Sequence, residues 1–383
     1  MKVLHTIAGF GIKSGGTSTC TYNLISNIHD RIEHIDLLTP QVIDTTDRLI
    51  GKSESWIKAL PYDYVSPYGF SSNLKKFLQQ NDYDIYHTNG LWMHINHTTC
   101  CIARKKAKPY VITPHGMLYP QALERSAWKK RLLLKLGFRK NIAKATCIHV
   151  TCQKELEHVR KFGYKGPIAI IPNPIKTANE EKERKKSDIM RIGYLGRIHP
   201  IKNIENLLYA WRQLNLKEEE AQLVIIGDCS PNEIGYEKFL KKEQERLAIK
   251  NILWTGFLSG IEKEEMLSSL SLLVVPSKSE NFGMIIPEAL LNGIPVIASK
   301  GTPWEELNIY NCGWWVDNDV ETLTQSIQKA ISLPEEIRIQ MGVNGQKMVK
   351  ENYSVEVISQ KMCELYDWIL NEGNKPEFVY DKY

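Results

Sequence analysis

A chain of 383 residues, 43% hydrophobic and 24% charged, is long enough for two buried cores and too apolar to remain unfolded. Its net charge of +5 is mild and makes no case for nucleic acid as a partner. No run approaches the ~18 apolar residues of a membrane span, so membrane contact is expected to be peripheral only. The 8 cysteines form no Cys-x-x-Cys pair. The first residues, Met1-Lys-Val-Leu, are expected to enter a strand directly and not to form a leader peptide. Free thiols in a reducing cytoplasm are the expectation.

Residues 2–8 predict a buried strand, and 17–28 a helix. Between them, Gly15 and Gly16 sit at the helix entrance. Glycine there lets a backbone approach a ligand, and a helix N-terminus favours an anion. A merely flexible loop is the alternative. Strands are then expected at 32–38, 85–88, 110–114, 146–150 and 168–171, with helices at 71–80, 94–107 and 153–162. Alternating strands and helices imply a parallel sheet covered on both faces. Ligands collect at the carboxyl ends of such strands, where His87, Asn89, His115 and Gly116 fall. His94 and His97 have helical spacing but no acidic or cysteine partner, so no metal site is expected.

Residues 125–144 interleave Lys129, Lys130, Arg131 and Lys135 with Trp128, Leu132, Leu133, Leu136 and Phe138. Such a basic amphipathic segment suits an anionic bilayer surface or a diphosphate-lipid acceptor. It equally suits a helix packing its apolar stripe inward and showing lysines to water. Residues 176–188 are charged and aperiodic, as a linker would be.

A second series of βα units follows, with strands expected to end at Gly196 and to span 223–227, 252–256, 272–276 and 295–298. Arg197 and Lys202 fall in the loop after the first of these, and Asn203 is placed to cap the next helix. Two cations at a strand end can neutralise a diphosphate. After residues 272–276 comes Glu280-Asn-Phe-Gly-Met-Ile-Ile-Pro-Glu288. A carboxylate accepts paired hydroxyls well. Two carboxylates flanking a loop of backbone N–H groups would describe a nucleotide-sugar pocket. Two solvated glutamates on an amphipathic helix are the plain alternative. Asp317-Asn-Asp319 has metal-site spacing, but it precedes a helix and is expected to cap it. Residues 354–370 carry an apolar helical stripe of Val357, Ile358, Met362, Leu365, Trp368 and Ile369.

Glu280-x7-Glu288, preceded by Pro276-Ser277 and followed by Gly293-Ile-Pro-Val-Ile-Ala298, resembles the donor-site signature of family 4 glycosyltransferases. Gly196-Arg197-x4-Lys202 resembles that family's second signature. The resemblance implies an α/β protein of GT-B fold, with two Rossmann-like domains facing across a cleft. It implies an N-terminal acceptor-side domain over 1–175 and a linker over 176–188. A C-terminal nucleotide-sugar domain would occupy 189–353, and a final helix over 354–383 would cross back to the first domain.

By the same resemblance, His115 lies near the anomeric sugar. Arg197 and Lys202 contact donor phosphates beside Gly196, and Gly16 with Gly15 lies against the diphosphate. The amides of Phe282, Gly283, Met284 and Ile285 face the same group, and Asn281 beside them is also donor-binding. Glu280 holds the transferred sugar and Glu288 the ribose, while Gly256 and Phe257 lie near the base. The implied reaction is retaining, metal-independent and without cofactor, with a UDP- or GDP-sugar as donor. Thr302-Pro-Trp and Cys312-Gly-Trp-Trp-Val316 resemble the variant in bacterial surface-polysaccharide enzymes. A glycan or polyprenyl-diphosphate-linked acceptor at the inner face of the plasma membrane is the corresponding expectation, with Lys129, Lys130, Arg131 and Lys135 facing acceptor or membrane. A GT-B sugar-nucleotide epimerase and a non-catalytic nucleotide-sugar-binding protein stay open as alternatives. A phosphorylase-like enzyme would need a pyridoxal lysine and a far longer chain.

Overall fold

Apolar runs without alternation, such as Leu272-Leu-Val-Val275, have no polar face to show water, and here they become interior strands of parallel sheets. The computed structural model describes residues 1–44, 47–64, 66, 68–177, 189–230 and 233–381. The chain divides into two units, Met1–Lys176 with Val355–Tyr383, and Thr177–Ser354. From residue 178 on, the expected linker lies outside the described residues.

In chain order the first unit contains β1 (Lys2–Ile7), α1 (Gly16–Ile28), β2 (His34–Pro40), β3 (Ile57–Leu60), α2 (Ser72–Gln80), β4 (Ile85–Asn89), α3 (His94–Lys105) and β5 (Tyr110–Thr113). It continues through α4 (Pro120–Glu124), α5 (Ala127–Leu133), α6 (Arg139–Ala143), β6 (Cys147–Val150), α7 (Gln153–Phe162) and β7 (Ile168–Ile170). The second unit holds β8 (Met190–Leu195), α8 (Ile204–Leu214), β9 (Ala221–Ile226), α9 (Ile234–Arg246), β10 (Ile252–Gly256), α10 (Gly260–Ser268) and β11 (Leu272–Val275). It ends with α11 (Ile285–Leu291), β12 (Val296–Ser299), α12 (Glu306–Ile309), β13 (Gly313–Val316), α13 (Val320–Ile331) and α14 (Glu335–Tyr353). The chain then rejoins the first unit through α15 (Val355–Ile369) and β14 (Val379–Tyr380).

The first sheet has the order β14-β7-β6-β5-β4-β1-β2-β3, parallel except for β14. Period-two alternation sends its side chains into two cores. Leu4, Tyr86, Ile112 and Ile148 enter one core. Val3, Ile85, Val111 and Cys147 enter the other, together with Leu24 and Ile25 of α1 and with Ile358, Met362 and Leu365 of α15. The α15 stripe therefore buries as its spacing predicts, with Val357, Trp368 and Ile369 only half-buried. The second sheet is wholly parallel, in the order β10-β9-β8-β11-β12-β13.

Two capping expectations separate. Asp319 accepts from Thr322 N at 2.9 Å and starts α13, as expected. Asn203 stands at the start of α8 but does not cap it with its side chain. Its backbone is left-handed (φ 56°), and its Nδ2 donates to Asn318 O at 3.1 Å. The Ile204 N–H donates to Tyr236 Oη instead. Among the described residues no helix is long and apolar enough to cross a membrane.

Candidate functional site

In the second sheet the strand order reverses between β8 and β11, and the carboxyl ends of strands at such a reversal are where open α/β sheets bind ligands. Both sequence signatures lie there. Gly196 N–H donates to Ile226 O at 2.9 Å, and Tyr194 Oη to Arg197 O at 2.8 Å, which fixes the turn after β8. Burial, and secondarily the nearby Glu280 carboxylate, push the Tyr194 phenol well above its ordinary range, so it stays a neutral donor. The Arg197 side chain is exposed and makes no ion pair among the described residues. Lys278 N–H donates to Ile201 O at 2.8 Å and ties the two loops together.

The Lys202 ammonium meets the Glu280 carboxylate across those loops. Ser277 Oγ donates to the same Glu280 oxygen at 2.8 Å, and the Glu280 amide donates to Gly301 O at 3.0 Å. Both charged side chains are mostly buried, at 15% and 13% exposure. An ammonium carries three N–H donors, so the pairing leaves Lys202 two for an anion. Ser277 was visible in the sequence only as a flanking residue; its place three residues before Glu280, in the turn after a buried strand, was the usable signal.

Glu288 lies in the first turn of α11, where Lys263 of α10 pairs with it at 2.6 Å. Nothing in the sequence joined Lys263 to Glu288, because the partners are 25 residues apart on different helices. In the loop between the two glutamates, Gly283 has φ 81°, a conformation glycine alone adopts without strain. No side chain caps the start of α11, so the Met284 and Ile285 amides stand at an open helix end. Phe282 can serve a ligand through its amide only. Its ring is buried against Trp304 and Tyr353, at 5.2 and 5.9 Å between centroids, and its carbonyl accepts from Trp304 Nε1. Gly256 has φ 73° at the end of β10, and Phe257 beside it is exposed. Asn281 is half-buried.

In the first unit, Gly15 (φ 84°) precedes α1 and Gly16 begins it, both exposed. His115 follows β5 with φ 50°, a left-handed backbone that a side chain adopts only when held there. The hold comes from Glu155 of α7, a fully buried carboxylate that accepts from the Gly116 N–H and, at 2.9 Å, from Thr151 N. Sequence reasoning missed Glu155, since it reads as one more charge on a helix. His115 Nε2 lies 3.2 Å from Asn89 Oδ1. Burial, and secondarily His149, lower the His115 imidazole to about 3, so it is neutral near pH 7.

The basic segment is not one helix. Ser126 (φ 53°) breaks α4 from α5, and a π-helical turn over Leu134–Phe138, with Gly137 at φ 115°, separates α5 from α6. Its apolar residues divide between two faces. Phe138 is buried and stacks on His97, and Leu133 and Leu134 are half-buried, while Trp128, Leu132 and Leu136 stay exposed. Lys129, Arg131 and Lys135 are exposed beside them. Lys130 departs from expectation: its ammonium donates to the Ala122 and Arg125 carbonyls at the end of α4, so it does not face outward.

The pairs suggestive of metal are engaged elsewhere. His94 bonds the Ser71 amide and Thr98, and Asp317 pairs with Lys300; His97 bonds Asn141 and, contrary to the expected lack of a cysteine partner, has Cys101 Sγ 3.5 Å from its Nε2. Asp228, Cys229 and Glu237 place three ligand-type atoms within 4.8 Å of one another. The Cys229 thiol there donates to Glu237, which pushes it up to about 11 and keeps it protonated.

Residues 175–348 match the model for glycosyl transferases group 1, and residues 14–179 that for glycosyltransferase family 4. The capsular polysaccharide biosynthesis glycosyltransferase CapM of Staphylococcus aureus is 27% identical over 198 residues, 51% of this chain and 50% of CapM. The alpha-monoglucosyldiacylglycerol synthase of Streptococcus pneumoniae is 26% identical over 301 residues, 69% of this chain and 64% of the synthase. The chain thus matches half to two thirds of the length of these curated relatives. Among solved structures, Anabaena HepE in complex with UDP and glucose superposes with a TM-score of 0.73 at 18% identity, over 96% of this chain and all of HepE. That likeness shows the GT-B fold.

Proposed function

We propose that this chain, which belongs to the group 1 and family 4 glycosyltransferases, moves a sugar from a nucleoside-diphosphate donor to an acceptor hydroxyl with retention of configuration. The observation that carries the reading is the meeting of Lys202 and Glu280 at the strand-order reversal of the second sheet. Breaking the anomeric C–O bond sends negative charge onto the departing diphosphate. Lys202 and Arg197 supply cations for it, and Gly283 to Ile285 supply backbone N–H groups. Glu280, held by Ser277, accepts hydroxyls of the transferred sugar, and Glu288 those of the ribose. Gly196 and Gly256 let the backbone come close to the donor, and Phe257 lies by the base. In the first unit, Gly15 and Gly16 present amides to phosphate, and neutral His115 orients sugar or acceptor.

The donor is a UDP- or GDP-sugar; HepE, of like fold, is complexed with UDP and glucose. The acceptor is a lipid-linked glycan of capsule, O-antigen or exopolysaccharide assembly, at the inner face of the cytoplasmic membrane. The name of CapM and the exposed ridge of Trp128, Leu132 and Leu136 flanked by Lys129, Arg131 and Lys135 support this.

The test is nucleotide release from a panel of UDP-, GDP-, ADP- and dTDP-sugars, with and without lipid acceptor extracts. Acceptor-stimulated release from one donor, lost in Glu280→Gln and Lys202→Ala, is the expected result. Turnover without acceptor, yielding an altered free sugar, would favour the epimerase. Nucleotide binding with no turnover under any acceptor would favour a binding protein.

A further inference from the structure

On the α15 face of the first sheet, His5, His87, Thr113 and His149 each stand two residues beyond Val3, Ile85, Val111 and Cys147 on their own strands, and register pairs His5 with His87 while Thr113 pairs with Asn89. All four are buried, and the buried Tyr366 of α15 reaches into them. They form one hydrogen-bonded chain. His149 Nε2 lies 2.8 Å from Ile171 O, and His149 Nδ1 2.8 Å from Thr113 Oγ1. Thr113 Oγ1 lies 2.6 Å from His87 Nε2, and His87 Nδ1 2.7 Å from Tyr366 Oη. Tyr366 Oη lies 2.7 Å from His5 Nε2, and His5 Nδ1 3.3 Å from Asn89 Nδ2. Asn89 Oδ1 completes the chain to His115 Nε2 at 3.2 Å.

Carbonyls fix its protons from both ends: Ile171 O at His149, and Thr6 O, which accepts from Asn89 Nδ2 at 3.4 Å. A carbonyl only accepts, so His149 donates from Nε2 and accepts at Nδ1. Thr113 must then donate its single hydroxyl proton to His149 and accept from His87 Nε2. His87 Nδ1 is left to accept from Tyr366, whose oxygen accepts from His5 Nε2. His5 Nδ1 accepts from the Asn89 amide nitrogen, which turns Asn89 Oδ1 toward His115. His115 therefore donates from Nε2, and its Nδ1 is a bare acceptor.

We propose that Thr113 and Tyr366 are positioning residues that hold His115 in its Nε2–H tautomer, so that Nδ1 accepts a hydrogen bond from a ligand hydroxyl. The ligand half of this rests on the reading of His115 under Proposed function; the tautomer half does not. Burial keeps the rings singly protonated, as the relay requires: His5 is lowered to about 3, His149 to about 4, and His87 well below its ordinary value. Without the Thr113 hydroxyl the chain loses the shorter of its two anchors, the 2.8 Å bond to Ile171 O, and can run backwards at the cost of the longer Asn89–Thr6 contact. His87 then donates from Nδ1 to Tyr366, Tyr366 to His5 Nε2, and His5 from Nδ1 to a turned Asn89. The proton of His115 then moves to Nδ1.

The experiment is long-range ¹H–¹⁵N correlation of the full chain labelled at histidine, with His115 assigned by His115→Gln. Wild type and Thr113→Ser are expected to show His115 protonated at Nε2. Thr113→Val is expected to shift population to Nδ1–H, and Tyr366→Phe to mix the two. If Thr113→Val does not fold, Tyr366→Phe carries the same test. Nδ1–H in wild type, or one tautomer unchanged in the folded variants, overturns the proposal. The readout needs no substrate, so absent transferase turnover with the expected tautomers would count against the function alone. Where turnover is present, Thr113→Val is expected to lower kcat about tenfold, the worth of one hydrogen bond, and Thr113→Ser to restore it.

Discussion

Lys202 and Glu280 are 78 residues apart in sequence and share one ion pair between the loops after β8 and β11. The pair joins two chemistries, a cation for phosphate and a carboxylate for hydroxyls. Under the proposed function, Lys202→Ala is expected to lower nucleotide release by ~100-fold, the loss that follows removal of one transition-state donor. Glu280→Gln should fall comparably, because an amide presents only one accepting oxygen to adjacent hydroxyls. Stability reads the pair independently of turnover. Lys202→Met leaves a mostly buried carboxylate without its cation, and the double variant with Glu280→Gln should recover part of the loss. A coupling on the order of 1 kcal/mol in a urea denaturation cycle is expected. Strictly additive losses would mean that the two charges do not interact in solution.

Gly227 and Gly256 make a paired test of the second sheet's carboxyl edge. A Cβ on Gly227 would stand 1.9 Å from Gly196 O, and φ there is 141°. Gly227→Ala must therefore push apart the ends of β8 and β9. A loss above ~2 kcal/mol is expected in thermal melting, since backbone strain and overpacking add. Gly256 has φ 73° but nothing within 4 Å of its Cβ position. Gly256→Ala should cost only about 1 kcal/mol, the strain alone. Equal losses at the two sites would show that crowding at Gly196 is not what requires glycine at 227.

Much of this was legible because it is local. The βα alternation, the apolar strands and the cap at Asp319 each need only neighbouring residues, and α7 has the limits its periodicity predicts, Gln153–Phe162. Gly196-Arg-x4-Lys202 and Glu280-x7-Glu288 were readable as strand-end motifs for the same reason. The short edge strands β3 and β14 were not, because their residues alternate little and are defined by pairing partners far away. Lys263 on Glu288, Glu155 behind His115 and the hydrogen-bonded cluster of His5, His87 and His149 are all tertiary facts. Each looks like an ordinary charged or polar residue until register brings it to its partner. Asn203 and Lys130 were misread because a local preference, for capping or for solvent, yields to a specific acceptor: the Asn318 carbonyl for one, and those of Ala122 and Arg125 for the other.

The buried histidines imply a pH dependence of stability with a definite sign. His5 and His149 have folded values of about 3 and about 4, below the ordinary 6.5, chiefly through burial. Between pH 6.5 and those values the unfolded chain binds the extra protons. Stability is then full above about pH 6.5, falls as pH drops, and levels off below the folded values. Each such histidine contributes up to about 1.4 kcal/mol per pH unit in that window. Urea midpoints at pH 7.5 and 5.0 measure the slope. His149→Gln keeps a donor for Ile171 O and an acceptor for Thr113 without a titrating ring, so its slope should be shallower than wild type. An unchanged slope would mean that His149 is already protonated in the fold.

The exposed ridge along α5 and the π-helical turn after it makes the membrane proposal specific about which residues act. Trp128, Leu132 and Leu136 recur at four-residue spacing and stay outside the core, with Lys129, Arg131 and Lys135 also exposed. Flotation with anionic vesicles is expected to carry wild-type protein upward, and to fail when all three apolar residues are changed to serine. Charge reversal of Lys129, Arg131 and Lys135 to glutamate should abolish it as well, because each cation near an anionic surface is worth about 1 kcal/mol. High salt should mimic the reversal and leave a weaker, apolar binding. Lys130→Gln separates the outward cations from the inward one. Its ammonium already serves the Ala122 and Arg125 carbonyls, so vesicle binding should hold within about twofold while the melting temperature falls. If Lys130→Gln weakens flotation as much as Lys129→Glu does, the inward placement of Lys130 does not hold at the membrane. If wild type does not float at all, the ridge meets something other than lipid.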